Sequence, residues 1–235
     1  MAQIHEEQYT EQQAYLKTFM FIKGYAKAKN LQQTWIALAY AKRLHNGQYR
    51  KDGVPYISHP LKVCSTLINY GIDDDIVLAA ALLHDVVEDC SDQLPMHGEE
   101  LVKHGLDPEV LELVTLLSKP SGLSQKEWAV YFDAIRDNPK ALLIKLSDRL
   151  HNSATIYTFS LEKMRKYINE TNDFIIPIAS HGKLYYPQYT NALGILKSNI
   201  YSLNHAMEIM LNKFEERDAE LNGRIRELEE QLRAK

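Results

Sequence analysis

A histidine and an aspartate stand side by side, His84 and Asp85, in the segment IVLAAALLHDVV, whose other residues are all apolar. At helical spacing His84 follows Ala80 by four residues and Asp85 follows Ala81 by four. Both therefore grow from faces otherwise filled by small apolar side chains. An unpaired carboxylate in such surroundings is strongly disfavoured, so it must be protonated, paired or bound to a cation. The oddity recurs at Asp148, which continues the apolar line of Ala141 and Ile144. His59, just before Pro60 at an expected helix start, is a fourth candidate. Two imidazoles and two carboxylates form a mixed nitrogen and oxygen donor set. Such a set suits Mn²⁺, Fe²⁺, Co²⁺ or Zn²⁺ rather than Ca²⁺ or a thiolate-selected ion. Any one of these histidines alone reads as a structural hydrogen-bonding group; the joint pattern points to a shared cation.

One turn further on come Glu88 and Asp89, again at four-residue spacing from the pair. A helix C-terminus disfavours negative charge, so this placement calls for a compensating cation or a function. A carboxylate beside a metal can position a water or take its proton, because the metal makes that water more acidic. Cations lie near the same residues. Arg50 and Lys51 precede His59 in a loop, while Lys145 and Arg149 flank Asp148. Together they suit a substrate carrying several phosphate charges, although Lys145 and Arg149 also fit a solvated helix surface.

Helices must position these groups. Apolar residues recur at three- and four-residue steps over 31–44, and Asn46-Gly47 is a stop signal. Pro60 opens a second helix that ends near Gly71. Asp73 to Asp75 supply a cap and first-turn charge for a third over 76–89, apolar nearly all round and hence central. Further helices are expected over 99–104, 108–117, 124–136, 140–151 and 161–179, with the loop 118–124 a candidate lid. No alternating strand pattern stands out. Toward the end Phe214, Leu221, Ile225, Leu228 and Leu232 form a heptad-like stripe interrupted by Asp218. That stripe suits either one terminal helix packed on the domain or a coiled-coil homodimer. Three segments follow: an N-terminal helical segment over residues 1–30, a domain over 31–182, and a C-terminal helical extension over 183–235.

Of the 235 residues 45% are hydrophobic and 25% charged, which is ordinary for a globular chain. No apolar run approaches the roughly 20 residues needed to span a bilayer, and the polar, acidic N-terminus is unlike a secretory signal. Met1 is read as a native start. A net charge of −4 argues against nucleic-acid binding by bulk electrostatics, so an anionic substrate needs a local cationic pocket. Cys64 and Cys90 lie in apolar stretches without metal-type spacing and read as buried thiols in a reducing, cytoplasmic compartment.

The strings HNGQYRKDGVPYISHPLKV, AALLHDVVED and LIKLSDRLHN, in that order within residues 31–179, resemble the hydrolase domain of the RelA/SpoT homologue family, a branch of the HD superfamily. The resemblance implies an all-α helical bundle. It also implies that His59, His84, Asp85 and Asp148 hold the metal, with Mn²⁺ the first choice. By the same resemblance Glu88 and Asp89 match paired acids implicated in water activation, Arg50 and Lys51 match a basic pair that contacts the nucleotide, and Asn152 matches a residue near the ribose or scissile phosphate. The implied activity is removal of the 3′-pyrophosphate of (p)ppGpp or a close relative. Asp52 follows the basic pair where the family often has a small residue, and beyond residue 161 the likeness fades. Long members carry a synthetase domain and regulatory modules after the hydrolase, for which 235 residues leave no room. Rival readings are another nucleotide phosphohydrolase (for ppApp, NADPH or a 5′-nucleotide) and a regulator that binds alarmone without turnover. His45 and His151, also within the strings, read as structural.

Overall fold

The computed structural model describes residues 2–50, 52–89, 99–119, 122 and 124–234; for residues 2–14, 89, 99, 100 and 125 it describes the backbone alone. The described residues form an all-α bundle with no strand, only an isolated antiparallel bridge between Tyr49 and Pro55. Twelve α-helices follow in order: α1 (Ala2–Lys29), α2 (Gln32–Leu44), α3 (Ser58–Asn69), α4 (Asp75–Leu83), α5 (Val86–Asp89), α6 (Glu99–Lys103), α7 (Pro108–Leu117), α8 (Gln125–Asp137), α9 (Pro139–Ala154), α10 (Leu161–Glu170), α11 (Ile176–Tyr185) and α12 (Thr190–Arg233). None of the described helices is long and apolar enough to cross a membrane.

Local chemistry explains most helix starts. Asp107, Ser124, Asn138 and Ser160 each accept backbone N–H bonds at the heads of α7, α8, α9 and α10, and Ser124 forms a full capping box with Glu127. The three aspartates at the head of α4 divide their work. Asp73 pairs with Lys29 at 3.3 Å, and Asp74 caps α4 by accepting from the Val77 amide at 3.0 Å. Asp75 caps a different helix. Its carboxylate accepts from the Gln33 and Thr34 amides at 2.9 and 2.7 Å and from the Thr34 hydroxyl at 2.7 Å, at the head of α2, where Leu31 offers no side-chain cap. One carboxylate thus fixes the angle between α2 and the central helix.

α4 is buried along its length, Val77 to Leu83 without exposure, and packs on α2, α3, α7 and α9. The expected single helix over 76–89 is broken at His84 and Asp85, between α4 and α5. The cause is local: His84 Nδ1 lies 2.9 Å from the Ala81 carbonyl, where a side-chain donor competes with the backbone ladder. The helix expected over 161–179 is likewise two helices joined by a π turn, Thr171–Ile175. The Thr171 hydroxyl donates to the Tyr167 carbonyl at 2.8 Å. Buried Asn204 of α12 donates to the Ile168 carbonyl at 3.4 Å and to Asn172 at 2.8 Å, so the loosened turn keeps its partners.

One core crosses both segment boundaries drawn from the sequence, since it includes Ile22 and Ala26 of α1 and Ala192, Leu193, Leu196 and Ile200 of α12. α12 is buried at points as far as Leu211; residues 212–234 are exposed throughout. Cys64 is a buried free thiol, whereas Cys90 and residues 120, 121 and 123 of the loop 118–124 lie outside the described residues.

α11 approaches α9 closely at Gly182, where an added Cβ would overlap Leu142 Cδ2 and press on Leu193 at 3.3 Å. Leu142 and Leu193 are fully buried and have little room to yield. Gly182→Ala should therefore destabilise the fold by about 1–3 kcal/mol despite its better helix propensity, as overpacking does. Urea unfolding would measure this, and an unchanged or raised midpoint would contradict the close packing.

Candidate metal centre and substrate cavity

Four elements meet at the site. His59 comes from the first turn of α3, His84 and Asp85 from the break between α4 and α5, and Asp148 from the buried face of α9. His59 Nε2 lies 3.2 Å from Asp85 Oδ2, 3.2 Å from Asp148 Oδ1 and 3.2 Å from His84 Nε2. His84 Nε2 lies 3.1 Å from Asp85 Oδ1 and 3.7 Å from Asp148 Oδ1. One donor atom each from His59, His84 and Asp148 falls within 4.8 Å of the others. All four residues expected from the sequence are thus brought together.

Proton accounting shows that this set fits a cation. A carbonyl oxygen only accepts, so the Ala81 contact places His84's ring proton on Nδ1 and leaves a lone pair on Nε2 when the ring is neutral. That lone pair faces two carboxylates and a second imidazole nitrogen. Without an ion, the same space must be filled by protons on the rings. Burial opposes a charged His84, yet Asp85 and Asp148 outweigh it and lift its pKa to about 9. His59 is raised likewise: burial opposes protonation, and Asp148 and then Asp85 overcome it. Both carboxyls are held below the usual range against the effect of burial, Asp85 chiefly by His84 and Asp148 chiefly by Lys145. A buried cluster that can be neutralised by either protons or a divalent ion has the donor types and the spacing of a metal site.

A ring of supporting groups holds the four. The Tyr56 hydroxyl donates to Asp85 Oδ2 at 2.8 Å, and its ring stacks on buried His45, which bonds Gln48 at 2.7 Å. Asn152 donates to Asp148 Oδ1 at 2.6 Å, and Lys145 reaches Asp148 Oδ2 at 3.4 Å. His151 Nδ1 lies 2.7 Å from His59 Nδ1. Burial, then His59 and Arg50, push the pKa of His151 down to about 3, so the ring is neutral near pH 7. The sequence offered little sign of Tyr56, which sits in a loop with no helical phase to relate it to Asp85. His151 had one, since it follows Asp148 by one turn.

The cluster forms part of the wall of a cavity of about 770 Å³. Arg50, Lys119, Lys145, Arg149, Lys163 and Lys166 supply cations to this wall; Glu88 and Asp52 also line it. Arg50 is turned toward α9, donating to Asn152 at 3.4 Å and Thr155 at 3.3 Å. Glu88 accepts from the Lys119 backbone amide. Arg149 is buried and committed to Glu170, to Thr171 at 3.1 Å and to the face of Tyr167, so it braces α9 against α10 as well as facing the cavity. Lys51 lies outside the described residues, and Asp89 ends α5 with no described side chain. Lys119, Lys163 and Lys166 were not singled out from the sequence, because nothing in their spacing relates them to the metal cluster.

The HD-domain family model matches residues 37–181, the span of the bundle that brings His59, His84, Asp85 and Asp148 together; the chain belongs to this family. Within it, the chain is 37% identical over 153 residues to a probable guanosine-3′,5′-bis(diphosphate) 3′-pyrophosphohydrolase of Synechocystis sp., covering 61% of this chain and 19% of that protein. It is 35% identical over 148 residues to the guanosine-3′,5′-bis(diphosphate) 3′-pyrophosphohydrolase of Aquifex aeolicus, covering 61% and 20%. It is also 36% identical over 160 residues to a GTP pyrophosphokinase of Streptomyces coelicolor, covering 65% and 18%. The chain thus spans about a fifth of the length of these relatives. A solved structure, of a metazoan ortholog of SpoT that hydrolyzes ppGpp and plays a role in starvation responses, superimposes with a TM-score of 0.58 at 26% identity, covering 74% of this chain and 95% of that one.

The raised pKa of His84 has a consequence for the metal-free protein. Its stabilising contribution is fully present below the unfolded value of 6.5 and is lost as pH rises through about 9. Metal-free protein should lose on the order of 3 kcal/mol of stability across that window. Added divalent ion should restore more of it at the alkaline end, where it no longer competes with the proton. Melting curves of the chelated protein and a His84→Gln variant check this. A profile that is equally steep in the variant would disprove the assignment.

Proposed function

We propose that this chain is a metal-dependent hydrolase that removes the 3′-pyrophosphate of a nucleotide alarmone, (p)ppGpp or a close relative, releasing pyrophosphate. The observation that carries the reading is the meeting of the two-imidazole, two-carboxylate cluster with six cationic side chains in one cavity. Such a gathering of cations beside a metal cluster suits a nucleotide with two diphosphates, and phosphoryl transfer depends mainly on positioning and charge stabilisation. The names of the matched relatives support the substrate. We take Mn²⁺ as the native ion, with Fe²⁺, Co²⁺ and Zn²⁺ equally served by the donor set. Such an ion, held by His59, His84, Asp85 and Asp148, supplies Lewis acidity at a phosphoryl oxygen and acidifies water.

The chain's own groups do the rest. Glu88, steadied by the Lys119 amide, orients a water at the cavity wall or takes its proton, and Asp89 is assigned the same task from its place beside Glu88. Arg50 and Asn152 bind substrate together, since Asn152 bridges Arg50 and Asp148. Lys145 and Arg149 contribute positive charge from the wall, and Lys51 is assigned to the nucleotide from its place beside Arg50. A nucleotide substrate and the buried free thiol of Cys64 accord with a cytoplasmic setting.

Purified protein with Mn²⁺ should release pyrophosphate, not orthophosphate, from ppGpp when offered ppGpp, ppApp, NADPH and deoxynucleotides. Orthophosphate from NADPH or a 5′-nucleotide would replace the substrate while keeping the site. No release from any of them would favour a binding protein. Asp85→Ala should bring turnover to background, and Arg50→Ala should lower kcat/KM by about 10- to 100-fold through loss of a charge-assisted phosphate contact.

The end of α12 supports a second copy of the chain as partner. Residues 212–234 are exposed on every side, and Asn222-Gly223 near the middle weakens that stretch as a free helix. Phe214, Leu221, Ile225, Leu228 and Leu232 form one exposed apolar stripe. Arg217 and Arg224 edge the stripe on one side, Glu215 and Glu229 on the other. Parallel in-register pairing sets Arg224 against Glu229 of the partner subunit, whereas antiparallel pairing opposes like charges. Light scattering should show a dimer that Leu228→Asp dissolves and Asp218→Leu tightens; a monomer unaffected by either change would exclude it.

A further inference from the structure

We propose that His151 is a positioning residue for the metal centre: it accepts the ring proton of His59 and thereby keeps the opposite nitrogen of His59 available to the ion. This rests on the reading of the cluster as a metal site. The two Nδ1 atoms face each other at 2.7 Å, with ring centroids 4.7 Å apart and planes inclined by 47°. Two neutral rings at that distance share one proton between the facing nitrogens, because two protons would collide and none would leave two lone pairs opposed. The choice of ring decides the chemistry. With the proton on His59 Nδ1, the lone pair of His59 Nε2 points at Asp85, Asp148 and His84, where the ion would sit. With the proton on His151 Nδ1, His59 must carry its own on Nε2, aimed into the donor set, and an ion is repelled.

The contrast with His84 shows why this partner matters. The Ala81 carbonyl can only accept, so the tautomer of His84 is fixed by the backbone. His59 has no such carbonyl on its outer nitrogen; its partner is a ring able to donate or accept. The arrangement is set by α9, which carries Asp148 and, one turn later, His151. The same helix thus presents one carboxylate to the inner nitrogen of His59 at 3.2 Å and one imidazole to its outer nitrogen. A ligating histidine whose outer nitrogen loses its partner typically loses 10- to 100-fold in metal affinity.

Asparagine and glutamine separate this role from simple packing. The Oδ1 of an asparagine at 151 falls near the place of the histidine Nδ1 and accepts a proton, whereas the amide of a glutamine lies one carbon further out. Zn²⁺ and Mn²⁺ affinities, measured by chelator competition on the full chain, should fall about 10- to 100-fold in His151→Ala and His151→Gln. His151→Asn should stay within a few-fold of the unaltered protein. In the Zn²⁺-loaded protein, long-range nitrogen–proton spectra should show His59 protonated at Nδ1, and that signal should survive only in the asparagine variant. Unchanged affinity in His151→Ala, or an asparagine variant as weak as the alanine one, overturns the proposal. Should His151→Ala not fold, the asparagine and glutamine pair decides alone. If the unaltered chain itself binds neither ion, the metal reading falls as well, an outcome distinct from selective loss in the variants.

Discussion

Two carboxylates and two imidazoles converging inside an apolar bundle impose a constraint that the surrounding structure is built to meet. Asp85 and Asp148 cannot stay buried without positive charge; Lys145 supplies part of it to Asp148, and the rest must fall among the four side chains themselves. The break between α4 and α5 follows from this. His84 gives its outer nitrogen to the backbone, interrupts the helix, and turns with Asp85 toward α3 and α9. The apolar length of α4 anchors that break in the centre of the bundle, and Asp75 ties the same helix to the head of α2.

The cavity shows the same economy of charge. Several of its cations are already held: Lys145 reaches Asp148, Arg149 is held by Glu170 and Thr171, and Lys119 lies over Trp128 at 3.7 Å. Arg50 is held through Asn152, which also touches Asp148. A polyanion entering the cavity therefore meets side chains already held in place, so less conformational entropy is lost on binding and little rearrangement is needed to stabilise developing charge. Single hydrogen bonds also link Arg50 to Asn152 and Asn152 to Asp148, so changes at Asn152 act on both the cavity wall and the cluster.

Much of this was legible in the sequence because burial of a polar residue leaves a mark on a periodic pattern. His84, Asp85 and Asp148 each stand where an apolar residue is due, and the helices that carry them follow the spacing closely. His59, Arg50, Lys51, Lys145 and Arg149 interrupt no apolar pattern; their place beside the other candidates suggested them, and the resemblance of whole strings gave roles to His59, Arg50 and Lys51. The helix break at His84 escaped the pattern, since a side chain competing for one carbonyl changes no hydrophobic spacing. Tyr56 and Lys119 act through contacts across long stretches of chain, a loop hydroxyl and a backbone amide that no local signal encodes. The depth to which α1 and α12 enter the core was hidden for the same reason: it depends on which faces meet.

The π turn between α10 and α11 sets a phase. α10 turns Lys163, Lys166, Tyr167 and Glu170 to the cavity, while α11 turns Gly182 to α9. In an uninterrupted α-helix each residue advances the face by about 100°, so the wider turn between them determines which side of α11 meets the bundle. Asn204 secures that turn from α12. Losing a single residue there would leave composition and hydrophobicity almost unaltered, yet it would rotate everything downstream out of register with the cavity. Between α10 and α11, chain length is therefore under tighter constraint than residue identity.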